Sequence, residues 1–139
     1  TGKKLDFHAR KFLKKYKLDY GHGTGHGVGY FLNVHEGPQS ISKFNQIKLQ
    51  EGMILSNEPG YYKEGKFGIR IENLIYIAKQ NKKLFFENLT LAPIDKDLIN
   101  YKLLNYKEKD YLFNYHLLVY SKISKYLNKN EKKWLIKNL

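Results

Sequence analysis

At 139 residues the chain is long enough for one domain with a sizeable core, and an aromatic content of 15% argues against disorder. With no Cys it can hold neither a disulfide nor a thiolate-bound metal, and no apolar run approaches the roughly 18 residues that span a bilayer. Lys and Arg outnumber Asp and Glu by 25 to 13, for a net charge of +12. The lysines are spread over the whole length and only Arg10 and Arg70 are arginine. The excess therefore reads as composition drift, and neither a nucleic-acid nor a membrane partner is expected. Nothing at the start resembles a signal peptide, and the absence of Cys is compatible with the cytosol, so a cytoplasmic location is expected. Thr1 in place of Met, directly before a helical pattern, suggests a piece of a longer protein.

Leu5, Ala9, Phe12, Leu13 and Tyr16 recur at helical spacing, which predicts an amphipathic helix over Lys4–Lys17 with His8 on its surface. Gly21–Pro38, reading GHGTGHGVGYFLNVHEGP, then holds three of the five histidines and six of the eleven glycines. A helix is excluded there, since each interior Gly costs about 1 kcal/mol relative to Ala. In an extended segment the alternate glycines leave one face bare and put His22, Thr24, His26 and Val28 on the other. Such a segment presents imidazoles; the bland alternative is a glycine-rich loop with incidental histidines. Tyr30–Val34 reads as a strand closed by a turn at Glu36-Gly37-Pro38, and Ser40–Gln50 as a connector.

Met53–Glu58 reads as a strand ended by a Pro59-Gly60 turn. Gly68–Ala78 reads as one further strand, with Ile69, Ile71, Ile75 and Ile77 on one face and Arg70, Glu72, Leu74 and Tyr76 on the other. Asn81–Lys83 is a polar turn before a strand at Leu84–Leu91. Asn105 and Glu108 have the form of a capping box, and an apolar stripe follows from Tyr111 to Leu127 with His116 beside it as a packing residue. Asn128–Asn130 breaks this helix, and Trp134, Leu135 and Leu139 suggest a short terminal one.

The candidate ligands are His26, Glu58 and Glu72, with His22 and His35 nearby, an oxygen and nitrogen set that suits Zn, Mn, Co or Fe. Four residues of strand span roughly 13 Å, whereas metal–nitrogen bonds are about 2.1 Å. His22 and His26 therefore have separate roles, one as ligand and one handling substrate or proton. Glu58 precedes a rigid turn that fixes its direction. Glu72 lies beside Arg70, which suits a metal ligand and equally suits a structural ion pair.

HGTGHGVGYFLNVHEGP, EGMILSNEPGYY and FGIRIEN occur in that order, followed by LTLAPID and YLFNYHLLVYSKISKYL. Together they resemble the C-terminal part of the catalytic domain of Xaa-Pro aminopeptidase (aminopeptidase P). The resemblance implies an α+β fold: the second half of a pita-bread (creatinase/methionine aminopeptidase-like) fold over residues 1–92, with a helical C-terminal extension over 93–139 packed on the same domain. It implies two divalent metal ions, commonly Mn²⁺ with Zn²⁺ or Co²⁺ as alternatives, held by two Asp, one His and two Glu. His26, Glu58 and Glu72 match three of the five. His22 and His35 match histidines placed around the substrate, Arg70 matches an arginine beside the bridging Glu, and Glu58 can also accept a proton. The two Asp ligands are expected upstream of this chain; Asp6 and Asp19 lie in other contexts and are not promoted to ligands. The implied reaction is metal-assisted removal of the first residue from peptides with proline second. Proline lacks an amide hydrogen and has a fixed φ, so sites that read an ordinary extended peptide reject it. A homodimer through the extension is a further expectation. The alternatives are a prolidase-like dipeptidase and a metal-free pita-bread binding module.

Overall fold

A computed structural model describes residues 1–31 and 33–139. Helices and strands are mixed, and the chain divides into two compact units, Thr1–Thr90 and Leu91–Leu139. Among the described residues no helix is long and apolar enough to cross a membrane.

The first unit opens with α1, Gly2–Lys15, whose N-cap Thr1 accepts a hydrogen bond from the Lys4 amide. That cap starts the helix two residues earlier than its apolar spacing predicts, and Lys17 at φ 59° lies beyond its end. The buried face differs too. Gly2, Asp6 and Arg10 are buried, while Phe12 and Tyr16 are exposed. Of the glycine–histidine segment only Gly25–His26 forms a strand, β1, paired antiparallel with β2, Ser40–Ile41. The connector expected at Ser40–Gln50 thus begins with a strand. The strand expected over Tyr30–Val34 is absent among the described residues. Tyr30 and Phe31 lie in a turn closed by the Gly29 amide on the Asn33 carbonyl at 2.8 Å, and Leu32 lies outside the described residues.

β3, Ile54–Asn57, and β7, Lys83–Asn88, flank the central strand β6, Asn73–Gln80, in an antiparallel sheet. β4, Gly60–Lys63, and β5, Phe67–Arg70, form a separate hairpin, so Pro59-Gly60 leads straight into a strand rather than a free turn. The single strand expected over Gly68–Ala78 is two. The chain breaks at Ile71–Glu72, which frees β5 to pair with β4 and β6 to pair with β3. Ile75 and Ile77 are buried, whereas Ile69 and Ile71 are exposed. The core is Ile41, Leu55, Ile75 and Ile77, with Leu5, Leu49 and Met53 packed against it. Each such side chain fully buried stabilises by roughly 1.5–3 kcal/mol.

The second unit holds α2, Tyr106–Ile123, and α3, Lys129–Asn138. Both begin with a full capping box: Asn105 with Glu108, and Asn128 with Glu131. α2 ends at Ile123, ahead of a 3₁₀ turn at Ser124–Tyr126, so the break comes earlier than Asn128–Asn130, and Asn128 instead starts α3. Tyr115, Val119 and Leu135 form the core, and the rest of the expected stripe is divided, with Tyr111 and Tyr126 exposed. His116 is buried, accepting from the Ile94 amide at 3.2 Å and donating to the Leu139 carbonyl at 3.0 Å, a structural role as expected.

Candidate metal centre

Three chain segments deliver the candidate ligands. His26 comes from β1, Glu58 follows β3, and Glu72 stands in the break between β5 and β6. One donor atom from each lies within 4.8 Å of the others. Glu72 lies in the break at Ile71–Glu72, outside both strands.

The orientation of each ligand has a local cause. The His26 Nδ1–H donates to the Gly27 carbonyl at 3.0 Å, which leaves Nε2 with a free lone pair. That Nε2 stands 3.5 Å from Glu58 Oε1. Two donors each about 2.1 Å from one ion at a tetrahedral angle would stand about 3.4 Å apart, so the spacing fits a shared ion. Ser56, fully buried, holds both residues. Its Oγ accepts the His26 amide at 2.9 Å and donates to Glu58 Oε1 at 2.8 Å. The Glu58 amide in turn donates to the Thr24 carbonyl at 2.7 Å. An imidazole with a free Nε2 and two carboxylates suits a divalent cation of intermediate hardness.

Arg70 supplies the neighbouring positive charge. Its Nη1 lies 3.6 Å from Glu58 and 3.9 Å from Glu72, and both Arg70 and Glu72 side chains are more than two-fifths exposed. Its Nε–H donates to the Tyr62 hydroxyl at 2.8 Å. That hydrogen bond first, then the Glu58 and Glu72 charges, raise its pKa above the ordinary arginine value. Tyr62 Oη is also 2.7 Å from His22 Nε2, while His22 Nδ1–H donates to the Gly23 carbonyl at 2.7 Å. With Nδ1 protonated, the Tyr62 hydroxyl is the donor to Nε2. His22 is thus joined to Arg70 through Tyr62, and lies outside the His26–Glu58–Glu72 cluster, although the chain from His22 to Thr24 is not the strand that the spacing argument assumed. The His35 ring lies against the His26 ring, with centroids 4.1 Å apart.

Asp6 and Asp19 take no part in the ligand cluster. Both bind Arg10, at 2.8 and 2.6 Å. Burial opposes ionisation of Asp6, but hydrogen bonds from Arg10 and Thr24 outweigh it and lower its pKa. At Asp19, burial is likewise outweighed by bonds from Arg10, the Tyr20 amide and Lys43, which bring its pKa to about 2.

Residues 1–79 match the model of metallopeptidase family M24, and residues 82–139 match that of the C-terminal region of the same peptidases. The chain belongs to metallopeptidase family M24. A probable Xaa-Pro aminopeptidase P of Pyrenophora teres f. teres is 47% identical over 94% of this chain and 22% of its own length. The X-prolyl aminopeptidase of Caenorhabditis elegans, a cytosolic enzyme with a di-nuclear active site, superposes with a TM-score of 0.89 at 39% identity, covering 99% of this chain and 24% of that one. The prolidase of Pyrococcus furiosus reaches 0.56 at 37% identity, over 64% of this chain and 25% of its own. The M24 chain described here thus spans about a quarter of the length of the relatives it matches, and forms the C-terminal part of the pita-bread fold.

Sequence reasoning missed Ser56 and Tyr62, which hold side chains of this centre. Ser56 was within reach: two residues before Glu58 on a strand, it faces the same way. Tyr62 is paired with Gly68 and hence diagonal to Arg70, which only the hairpin register reveals.

Proposed function

We propose that this chain carries the second half of the catalytic site of a dinuclear metal-dependent aminopeptidase that removes the first residue from peptides with proline second. The observation that carries the reading is the convergence of His26, Glu58 and Glu72 within 4.8 Å, in an M24 chain that superposes on the nematode enzyme with its di-nuclear site. His26, Glu58 and Glu72 hold the metal pair together with two aspartates from outside this chain. The ions are most simply Mn²⁺, with Zn²⁺ or Co²⁺ as substitutes. When bound they supply a Lewis acid and a water made acidic near neutral pH.

The protein residues divide the remaining work. Glu58, held at one oxygen by Ser56, is a ligand and the proton acceptor. His22 faces substrate with Nε2 as its working atom, because Nδ1 is committed to Gly23. Tyr62, backed by Arg70, holds that atom's partner proton. His35 lies beside His26 and donates toward charge that develops on the scissile carbonyl or the departing proline nitrogen. Arg70 balances the charge of Glu58 and Glu72.

The partner is a peptide substrate, and we place the enzyme in the cytoplasm, in line with the nematode relative. The C-terminal unit exposes Phe113 and Leu117 on α2, and we assign this face to a homodimer contact. A monomer by sedimentation at high micromolar concentration would remove that assignment. A prolidase-like dipeptidase is the nearer competitor, but the Pyrococcus furiosus prolidase superposes over 64% of the chain and the nematode aminopeptidase over 99%. A metal-free binding module has no use for three converging ligands. The deciding experiment loads the full-length protein with Mn²⁺ and follows tripeptides by chromatography. Release of the first residue from Xaa-Pro-Xaa but not from Xaa-Ala-Xaa is expected, and failure to cleave the former refutes the reading.

A further inference from the structure

Arg10 is among the largest fully buried side chains of the chain, on a helix whose spacing offers apolar residues for burial. Its Nε–H donates to Asp6 Oδ2 at 2.8 Å, and Nη1 donates to Asp19 Oδ1 at 2.6 Å and to the Tyr20 carbonyl at 2.8 Å. Nη2 donates to the His22 carbonyl at 2.5 Å. The guanidinium also lies over the Tyr20 ring, 3.9 Å from its centroid. Residues 19–22 therefore bend around one planar group. The Tyr20 ring then packs on the His22 ring at 4.9 Å.

A second branch leaves from Asp6. Its Oδ1 accepts from the Thr24 hydroxyl at 2.6 Å, and the Tyr20 hydroxyl lies 2.5 Å from that same Thr24 oxygen. Because Thr24 has one proton and gives it to Asp6, Tyr20 is the donor to Thr24. The Thr24 carbonyl accepts the Glu58 amide. One buried guanidinium thus reaches the backbone of His22 directly and that of Glu58 through Asp6 and Thr24.

A buried ion pair is a weak source of stability, since apolar residues of like volume serve as well. What an arginine offers is geometry: a rigid fork of donors that a lysine, with one mobile ammonium, lacks. We propose that Arg10 is a positioning residue, which sets the His22 ring relative to Glu58 by clamping the carbonyls of Tyr20 and His22 and, through Asp6, Thr24. The proposal rests on the placement of His22 against substrate made above.

The test uses the full-length, Mn²⁺-loaded protein and a peptide with proline second. Arg10→Lys keeps the charge and removes the fork. It is expected to lower kcat about 10–100-fold, as a misplacement near 1 Å does, with KM and bound metal within twofold of wild type. In a His22→Ala background the same change is expected to lower kcat less than about threefold, because the ring whose placement it sets is gone. An equal loss in both backgrounds overturns the proposal. Thr24→Val covers the case in which Arg10→Lys does not fold: kcat should fall, and Thr24→Ser should restore it. Wild-type kcat in Thr24→Val, or no recovery in Thr24→Ser, overturns the proposal as well. The His22 ring signal in the ¹³C-histidine spectrum of the metal-free protein separates this inference from the functional reading. If the wild-type protein cleaves no such peptide the functional reading fails, yet a His22 signal shifted in Thr24→Val and restored in Thr24→Ser still supports the clamp. An unmoved signal refutes it.

Discussion

Ser56→Ala should weaken metal binding without touching a ligand. Ser56 is fully buried and its hydroxyl makes two bonds, accepting from the His26 amide at 2.9 Å and donating to Glu58 Oε1 at 2.8 Å. Alanine leaves the His26 amide without this acceptor, at a cost of about 1–3 kcal/mol, and removes a hydrogen bond to a charged group worth about 1.5–3 kcal/mol. Part of the second loss is recovered, because the Glu58 side chain is 12% exposed and can take up water. The net stability loss should be about 2–4 kcal/mol. On the metal side, Glu58 gains rotamers that it must lose again on binding. Loss of such a supporting bond typically lowers metal affinity about 10–100-fold.

The assay is competition for Mn²⁺ against a chelating dye in the full-length protein, beside thermal unfolding of the metal-free form. Ser40→Ala is the control. Ser40 lies on β2, and its hydroxyl is 3.2 Å from Ser42 rather than bonded to a ligand. Unchanged affinity in Ser56→Ala would refute the argument that this serine holds the pair together. Equal loss in both serine variants would assign the effect to general destabilisation.

His26→Ala and His22→Ala should fail differently: elemental analysis should find metal lost from the first and retained in the second, with kcat of His22→Ala lowered about 10²–10⁴-fold. The isolated 139-residue chain should bind Mn²⁺ or Zn²⁺ weakly and cleave no Xaa-Pro peptide, since it brings three ligands; dinuclear stoichiometry by calorimetry would contradict this. Asp19 has a folded pKa of about 2 against 3.8 unperturbed, so its contribution is complete above about pH 4 and lost as pH falls through 2. A shift of this size corresponds to roughly 2 kcal/mol, and with 36% of the side chain exposed about 1 kcal/mol survives screening. Urea midpoints should therefore fall between pH 4 and pH 2 by less in Asp19→Asn than in wild type, and parallel curves would count against the bond to Arg10.

The candidate ligands and the start of α2 were legible because each is announced locally. Asn105 and Glu108 identify a helix start by themselves, and His26, Glu58 and Glu72 stand in short ordered motifs. The strand break at Ile71–Glu72 was not legible. Alternation of period two continues across it, so Ile69 and Ile71 read as core although both are exposed. A pattern of alternate residues records which way side chains point, not which neighbour each half pairs with. The buried face of α1 escaped for the opposite reason. Asp6 and Arg10 are four apart and share a face, but charged residues are ordinarily assigned to solvent.

The alternate glycines leave two uses open in the sequence. Bareness on one face suits close approach of a ligand or of a neighbouring strand. In the structure Gly25 and Gly27 are buried, and a Cβ at Gly25 would strike the Ser56 carbonyl, while one at Gly27 would strike those of Glu36 and Gln39. The bare face is therefore turned to neighbouring protein backbone. That close approach matters to the chemistry. Gly27 bridges to Leu55, the Val28 amide reaches the Ile54 carbonyl at 3.2 Å, and next along the same pair the His26 amide comes within 2.9 Å of Ser56 Oγ. A side chain at Gly25 would push β1 away from β3 and carry His26 from Glu58, and one at Gly27 would collide with the segment that leads into β2. Gly25 presents the imidazole by letting its strand lie down against the one that leads to Glu58.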